Sequence, residues 1–469
     1  MSERDTTLTT EQKALTINLD KRKYGAIVEI GAGQEVARQF FSVGAAAGTI
    51  AKTMSAYDMQ VSDHIYGSVG RYVSRERLMQ MLEREYSLVI NRLTSTRPEE
   101  STFFAYAATV TARSYKQQKE CHGWIGIRLQ VQPHSDPSDI IMHVRMLDDT
   151  NSAQSEALGI LGVNIIYGAY YYHERPEWIV ESLSDNLGSD RIEIDEIEFA
   201  GHSFAQVENR IMNLHLIQSW LTRAVVFNPD GNVSAPGDLF YQKPVLVIRG
   251  TFNPVTKVNV DMTDAGMRQF LRASGLTQDD VVSLAEITMN TLITGDQVNY
   301  SDFLARVDLL ASLGYTVMIS DYLRFFRLRA YLRHFTDKEI GIVLSVRDFE
   351  YLFDEKFYEG MEGGILEAFG KLFPDNTHVF VYPTRLEKGG DLITLENVKV
   401  PDHLKHLLAY LVENKLMLPI EQYDADILHL DAKKILNELQ RGHGEWERCV
   451  PEGIAERIIQ DNLLGFGTV

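Results

Sequence analysis

The sequence predicts an α/β protein, with an α+β N-terminal half built on an antiparallel meander and a C-terminal half built on a largely parallel sheet flanked by helices. Three observations carry this. The chain has 469 residues, 45% hydrophobic and 10% aromatic, enough apolar material for two or three domains with cores of their own. Residues 103–147 hold three strand-like runs separated by polar turns. After Tyr241 the strands become short continuous apolar runs divided by amphipathic helices, which is how a parallel sheet covered on both faces reads.

Taken in order, residues 1–20 are polar and Thr-rich and read as an arm. Ile27 to Ile30 is a short strand, and Gln34 to Val43 a helix with Val36, Phe40 and Val43 on one side. Ser74 is placed to cap a longer helix whose apolar stripe is Leu78, Met81, Leu82, Tyr86, Val89 and Leu93. The meander follows as Phe103 to Ala112, Trp124 to Val131 and Ile140 to Leu147. Its second strand sets Ile125, Ile127, Leu129 and Val131 against Gly126, Arg128, Gln130 and Gln132, which predicts one face in water. Ala153 to Tyr172 is a helix against that sheet, Pro176 opens another, Arg191 to Phe199 is a strand, and His202 to Leu221 has helical spacing. Ala224 to Phe227 is a strand closed by the turn Asn228-Pro229-Asp230-Gly231. The later strands are expected at Val245 to Ile248, Val281 to Ile287, Thr316 to Ile319, Ile340 to Leu344 and Val379 to Tyr382, with helices over Tyr300 to Leu313 and Asp321 to His334. The expected organisation is an arm to residue 20, an α+β domain over 21–240, a parallel-sheet domain over 241–400 and a mostly helical segment over 401–469.

With 65 acidic and 46 basic side chains the formal charge is −19, which repels phosphate backbones and anionic lipid. Neither nucleic acid nor membrane is therefore an expected partner. No run reaches the roughly 18 apolar residues of a spanning helix, and the first residues lack the basic and apolar regions of an export signal, so the expected setting is the cytoplasm. Two cysteines, Cys121 and Cys449, are too few for a disulfide framework or a four-thiolate site. His403 and His406, one turn apart beside Asp402, read as an exposed polar face, and no metal site is expected. Arg329 and Arg333 read as a solvated basic face or a contact for an acidic partner subunit.

Three motifs suggest chemistry. Ile27-Val28-Glu29-Ile30-Gly31-Ala32-Gly33 resembles the first motif of S-adenosylmethionine-dependent methyltransferases, but Glu35 stands where that pattern has its next glycine, and a plain strand-to-helix turn explains it as well. Gly201-His202-Ser203-Phe204-Ala205 resembles the nucleophile elbow of α/β-hydrolases, with Asp321 or Asp348 and His378 in the right chain order. The preceding strand alternates charge with apolar residues, unlike a central buried strand, and Ser203 reads more simply as a helix N-cap. Gly250-Thr251-Phe252-Asn253-Pro254-Val255-Thr256 resembles the first motif of the nucleotidyltransferase superfamily that includes nicotinamide-nucleotide adenylyltransferases. That resemblance implies a histidine-x-glycine-histidine tetrad next, and here Thr256-Lys257-Val258-Asn259 stands in its place, without the imidazoles that stabilise the transferring phosphoryl.

The chain as a whole, through residues 24–38 and Pro254-Val255-Thr256-Lys257, resembles a bacterial protein family of similar length. Its members carry inconsistent labels, nicotinamide- or nicotinate-nucleotide adenylyltransferase and TonB-dependent receptor. A parallel sheet in the second half would place ligands at the carboxyl ends of its strands. The candidate ligand-binding residues are accordingly Arg249, Gly250, Thr251, Asn253, Thr256, Lys257, Asp321 and Arg385, with Arg249, Asp321 and Arg385 expected in one cleft. Two functions follow. One is a non-catalytic, self-associating cytoplasmic α/β scaffold, homo-oligomeric or filamentous, completed by an edge strand or the arm. The other is a divergent nucleotidyltransferase using ATP with magnesium.

Overall fold

The structure is a computed structural model that describes residues 7–31, 34–112, 121–374 and 376–468. It is a mixed α/β protein whose chain divides into two compact units, Met1–Arg223 and Ala224–Val469. The division falls before the strand Ala224–Phe227, earlier than the expected position near 240, because that strand pairs into the second sheet. No helix among the described residues is long and apolar enough to cross a membrane.

The strands of the first unit are β1 (Lys23–Gly31), β2 (Ile50–Met54), β3 (Thr102–Val110), β4 (Cys121–Leu129), β5 (Ser138–Met146) and β6 (Ile192–Gly201), in the sheet order β2-β1-β3-β4-β5-β6. β1 runs parallel to both β2 and β3, β3 to β5 form the expected meander, and β6 extends it with a fourth antiparallel strand. Its helices are α1 (Thr10–Leu19), α2 (Glu35–Ser42), α3 (Met59–Tyr66), α4 (Arg75–Leu93), α5 (Asn151–Tyr171), α6 (Pro176–Ser182) and α7 (Asn209–Gln218). Ser74 caps α4 as its sequence implies, accepting the Arg77 N–H.

Three expectations are corrected here. Residues 10–19 are not an arm: Thr9 opens a capping box with Gln12, and α1 buries Ala14, Ile17 and Lys13, whose ammonium meets Asp185 at 2.6 Å and Asn164 at 2.7 Å. Residues 1–6 of the expected arm lie outside the described residues. The meander has no wet face, since β3 and β5 are buried at every residue. Leu78 and Leu82 of α4 lie over Gly126 on the polar-looking face, while Gly162 of α5 approaches the Tyr106 hydroxyl on the other. The polar groups on the α4 face are paired: Arg145 with Glu193 at 2.5 Å, Arg128 with Asp139 at 2.8 Å, and the His143 ring with Asp195 by a hydrogen bond of 2.6 Å. Ser203 is not a helix cap either. It sits in a short 3-10 turn with its N–H on the Ser138 hydroxyl, and Glu208 caps α7.

β6 forms one edge of this sheet, and that edge is closed from within. Asn213 accepts the Ile197 N–H at 3.0 Å and donates to the Ile197 carbonyl at 2.7 Å. Asn209, one turn earlier on α7, does the same to Phe199 at 2.8 and 3.1 Å. Two side-chain amides thus take the ladder positions of a further strand. The edge at β6 and the helix α1 are both used inside their own unit.

The second unit holds β7 (Ala224–Phe227), β8 (Val233–Ser234), β9 (Val245–Arg249), β10 (Val282–Thr288), β11 and β12 (the hairpin Ile293–Thr294 with Gln297–Val298), β13 (Thr316–Ser320), β14 (Ile340–Ser345), β15 (Thr377–Tyr382), β16 and β17 (the hairpin Thr384–Arg385 with Leu392–Ile393) and β18 (Met417–Pro419). Its main sheet has the order β18-β15-β14-β9-β10-β13-β7-β8. From β18 to β13 every pair is parallel, and β7 and β8 add an antiparallel edge. Helices cover both faces. The short α8 helix (Pro236–Phe240) precedes β9, and the α9 helix (Lys257–Ser274) sets Gly266 against Val343 and Phe270 against Phe380. On the opposite face Phe325, Phe326 and Leu328 join Val245, Val247 and Ile342 in one apolar cluster. Arg329 and Arg333 are structural rather than a solvated face: both donate to the Thr377 hydroxyl, and Arg329 also reaches the Lys371 and Pro374 carbonyls.

Taken in chain order, the six parallel strands of the second unit lie as 6-5-4-1-2-3. The chain builds outward from β9 through β10 and β13, then returns to the other side of β9 with β14. Such a reversal leaves a crevice at the carboxyl ends of the two central strands, where connections leave in opposite directions.

Candidate functional site

The reversal point, where this class of sheet offers its crevice, lies between the segment after β9 and the segment after β14. The first runs Arg249 to Thr256 and delivers the chain into α9. Phe252 has a positive φ of 48° and is buried, with its ring under Gly250; a Cβ on Gly250 would stand 3.1 Å from that ring, so a larger residue here would push the ring by a few tenths of an ångström. The Asn253-Pro254 bond is cis. The side-chain oxygen Oδ1 of Asn253 is buried and has no partner among the described residues. Arg306, from the helix Tyr300–Ser312, holds the loop from behind through the Thr251 carbonyl at 3.1 Å and is itself paired with Asp302.

At the start of α9, Asn259 Oδ1 accepts from both the N–H and the hydroxyl of Thr256, each at 2.9 Å. The two polar residues at the tetrad positions therefore bond each other in a capping arrangement. Lys257 between them is exposed. It is the first residue of an 18-residue helix, at whose start backbone dipoles favour an anion.

Arg249 is committed differently from its expected role. Its guanidinium pairs with Glu286, its register partner on β10, donates to the carbonyls of Tyr322 at 2.6 Å and Leu323 at 3.1 Å, and lies 4.3 Å over the Phe325 ring. Glu286 is fully buried and accepts the Ser320 hydroxyl at 2.5 Å, and that hydroxyl accepts the Tyr322 N–H. One buried carboxylate thus ties the ends of β9, β10 and β13 and fixes the loop carrying Asp321.

On the β14 side, Ser345 accepts the Arg347 N–H and Asp348 accepts the Ser345 N–H, both at 3.2 Å. Desolvation pushes the Asp348 carboxyl up to about 6, against the downward pull of that N–H, Arg249 and Arg347. Arg347 reaches away to the Thr384 hydroxyl and the Arg385 carbonyl, each at 3.1 Å. Beyond β14, the Tyr382 hydroxyl ends β15 on Asp261 of α9, at 2.5 Å.

The expected residues therefore fall in three places. Gly250, Thr251, Asn253, Thr256 and Lys257 line one loop and helix start. Arg249 and Asp321 lie on the β9 and β13 side of the same edge. Arg385 follows β15 and its guanidinium donates to the Gly390 carbonyl in its own hairpin. β13 and β15 are four strand positions apart, roughly 19 Å at the usual strand spacing, so Arg385 and Asp321 do not share a small cleft. Asp348 and Arg306 were not among the expected ligand residues. The Ser345-x-x-Asp348 spacing is a visible capping signal, whereas Arg306 on a distant helix gives none. The Ala32-Gly33 turn of the methyltransferase-like motif lies outside the described residues. Ser203 belongs to the first unit, and Asp321, Asp348 and His378 to the second. His403 meets Glu355 at 2.7 Å on an exposed surface.

A comparison with known protein families and with curated proteins finds no match. Among solved structures, the chain is similar to the nicotinic acid mononucleotide adenylyltransferase of Plasmodium falciparum, at 11% identity and a TM-score of 0.29 over 49% of this chain and 100% of that one. It is also similar to the competence/damage inducible protein CihA of Agrobacterium tumefaciens, at 14% identity and a TM-score of 0.24 over 35% of this chain and 97% of that one. A competence or damage-inducible protein of Enterobacter asburiae gives 8% identity and a TM-score of 0.25 over 35% of this chain and 99% of that one. At such TM-scores the likeness does not define the fold, and the reading of the site rests on its own residues.

Proposed function

We propose that the second unit binds a nucleotide in the crevice between the β9 and β14 segments, with phosphate over the first turn of α9 beside Lys257. The observation that carries this is the reversal of strand order at β9 and β14, with the Gly250–Thr256 loop at the mouth of that crevice. The buried, unpaired Asn253 oxygen supports it, because it offers an acceptor to a base or ribose group entering the loop. In this reading the unit holds the nucleotide without adenylyl transfer, since Thr256 and Asn259 satisfy each other and supply no imidazole. The cytoplasm, where nucleotides are abundant, is the proposed setting. Homo-oligomerisation is proposed on the sequence alone, and light scattering of purified protein decides it.

The test is calorimetric titration with ATP and nicotinamide mononucleotide, each with and without magnesium, alongside a pyrophosphate-release assay. ATP should bind, and Lys257→Ala should weaken it by about tenfold, the loss of one charge-assisted contact. No pyrophosphate should appear. Absence of ATP binding, or equal binding by the variant, rejects the site; pyrophosphate formed with nicotinamide mononucleotide would make the protein a divergent transferase instead.

A further inference from the structure

The first unit has a reversal of its own. From β1 the chain goes through α2 to β2 on one side, and β3 then pairs on the other side of β1. At the carboxyl ends of the parallel pair β1 and β2, under α2, is an open cleft of about 520 Å³. Its apolar walls are Ala37, Phe41 and Met54, and its polar groups include Glu29, Ser42 and Thr53. Gln34 donates to the Ser55 hydroxyl at 3.0 Å across one side.

Glu29 is 3% exposed, yet it lines this cleft. Its two oxygens each take one long hydrogen bond from the start of α2, from Val36 N–H at 3.3 Å and Ala37 N–H at 3.4 Å. A carboxylate has about four acceptor positions, so acceptor capacity is left over. Among the described residues, no cationic side chain is paired with it. Arg38, the basic group of the cleft, is paired with Glu35 and also feels Glu156 of α5. Glu35 itself adds negative charge near Glu29. β2 brings Thr53, which does not titrate in this range. On β3, the Tyr106 hydroxyl is buried with no partner among the described residues, and its phenol is held neutral by burial.

We propose that this cleft is a binding site for a small organic ammonium with an apolar body, the ammonium on Glu29 and the body against Phe41 and Met54. Such a ligand supplies the counter-charge and hydrogen-bond donors that the buried carboxylate lacks. The exposed Phe41 ring offers it a cation-π face, and a volume of this size suits a ligand of drug-like dimensions or smaller. Burial raises the Glu29 carboxyl to about 7, so occupancy by an amine that stays protonated across this range depends on pH near neutrality.

The test uses the full chain and two matched probes, 2-phenylethylamine and 2-phenylethanol, by isothermal titration calorimetry. The amine should bind at least about tenfold tighter than the alcohol at pH 8, and its affinity should fall about tenfold from pH 8 to pH 6 as Glu29 takes up a proton. Glu29→Gln should abolish both the preference and the pH dependence. Phe41→Ala, at an exposed position that folding does not need, should weaken the amine severalfold with the pH dependence kept. Equal affinities for the two probes, an affinity flat in pH, or no amine binding up to about 10 mM overturns the proposal.

Discussion

Glu286→Gln isolates the network that ties the candidate crevice together. Glu286 is fully buried, with Arg249 on one oxygen and the Ser320 hydroxyl on the other, so the substitution keeps the shape and removes the charge. Removing one partner of a buried pair costs about 3–5 kcal/mol, because the remaining charge is left uncompensated. Arg249 keeps the Tyr322 and Leu323 carbonyls and the Phe325 ring, which puts the expected loss near the lower end, about 3 kcal/mol. For a unit of about 250 residues that corresponds to a fall in melting temperature of about 6–12 °C. Differential scanning calorimetry resolves the transition of this unit, and hydrogen exchange should show faster opening at Tyr322 and Leu323, whose carbonyls Arg249 holds. A loss below about 0.5 kcal/mol, with exchange unchanged, would refute the claim that this carboxylate organises the ends of β9, β10 and β13.

Two further perturbations test the first unit. Glu29 has its folded value raised to about 7, so the folded state holds this proton more tightly than the unfolded chain does. Its stabilising contribution is complete below the ordinary Glu value and is lost as pH rises through 7, about 3 kcal/mol over that window by linkage. Urea unfolding of wild type against Glu29→Gln from pH 4 to pH 8 reads it, and a difference constant in pH counts against the burial argument. Asn213→Ala strips both ladder partners from Ile197 in a buried position and should cost about 3 kcal/mol, with light scattering reporting new association through the opened β6 edge.

Elements were legible in the sequence where pattern and burial agree. The five runs from Val245 to Tyr382 needed no partner information, since strands buried on both faces are nearly continuous apolar runs, with Glu286 of β10 the buried exception. The meander was legible as strands and illegible as a buried layer. Arg128, His143, Arg145 and Asp195 alternate as a wet face would, yet the arginines meet carboxylates on a neighbouring strand or on α4 and His143 hydrogen-bonds Asp195, and only register shows that. Residues 10–19 failed for a related reason: a helix that buries Lys13 on Asp185 and Asn164, more than 150 positions away, carries little apolar signal of its own.

The same logic separates the two halves of the candidate site. The Gly250-Thr251-Phe252-Asn253-Pro254 loop is local, so its glycine and proline announce a turn after a strand without any knowledge of the sheet. Arg249 is also local in sequence, but what it does depends on which strand lies beside β9. An arginine at a strand's carboxyl end is a ligand residue when its neighbour is neutral and a structural one when its register partner is a buried glutamate. β10 places Glu286 opposite Arg249, and the guanidinium is spent on holding the Tyr322–Leu323 backbone. Lys257, exposed at the start of α9, is not committed in this way, which moves the phosphate end of the proposed nucleotide from the strand ends to the helix.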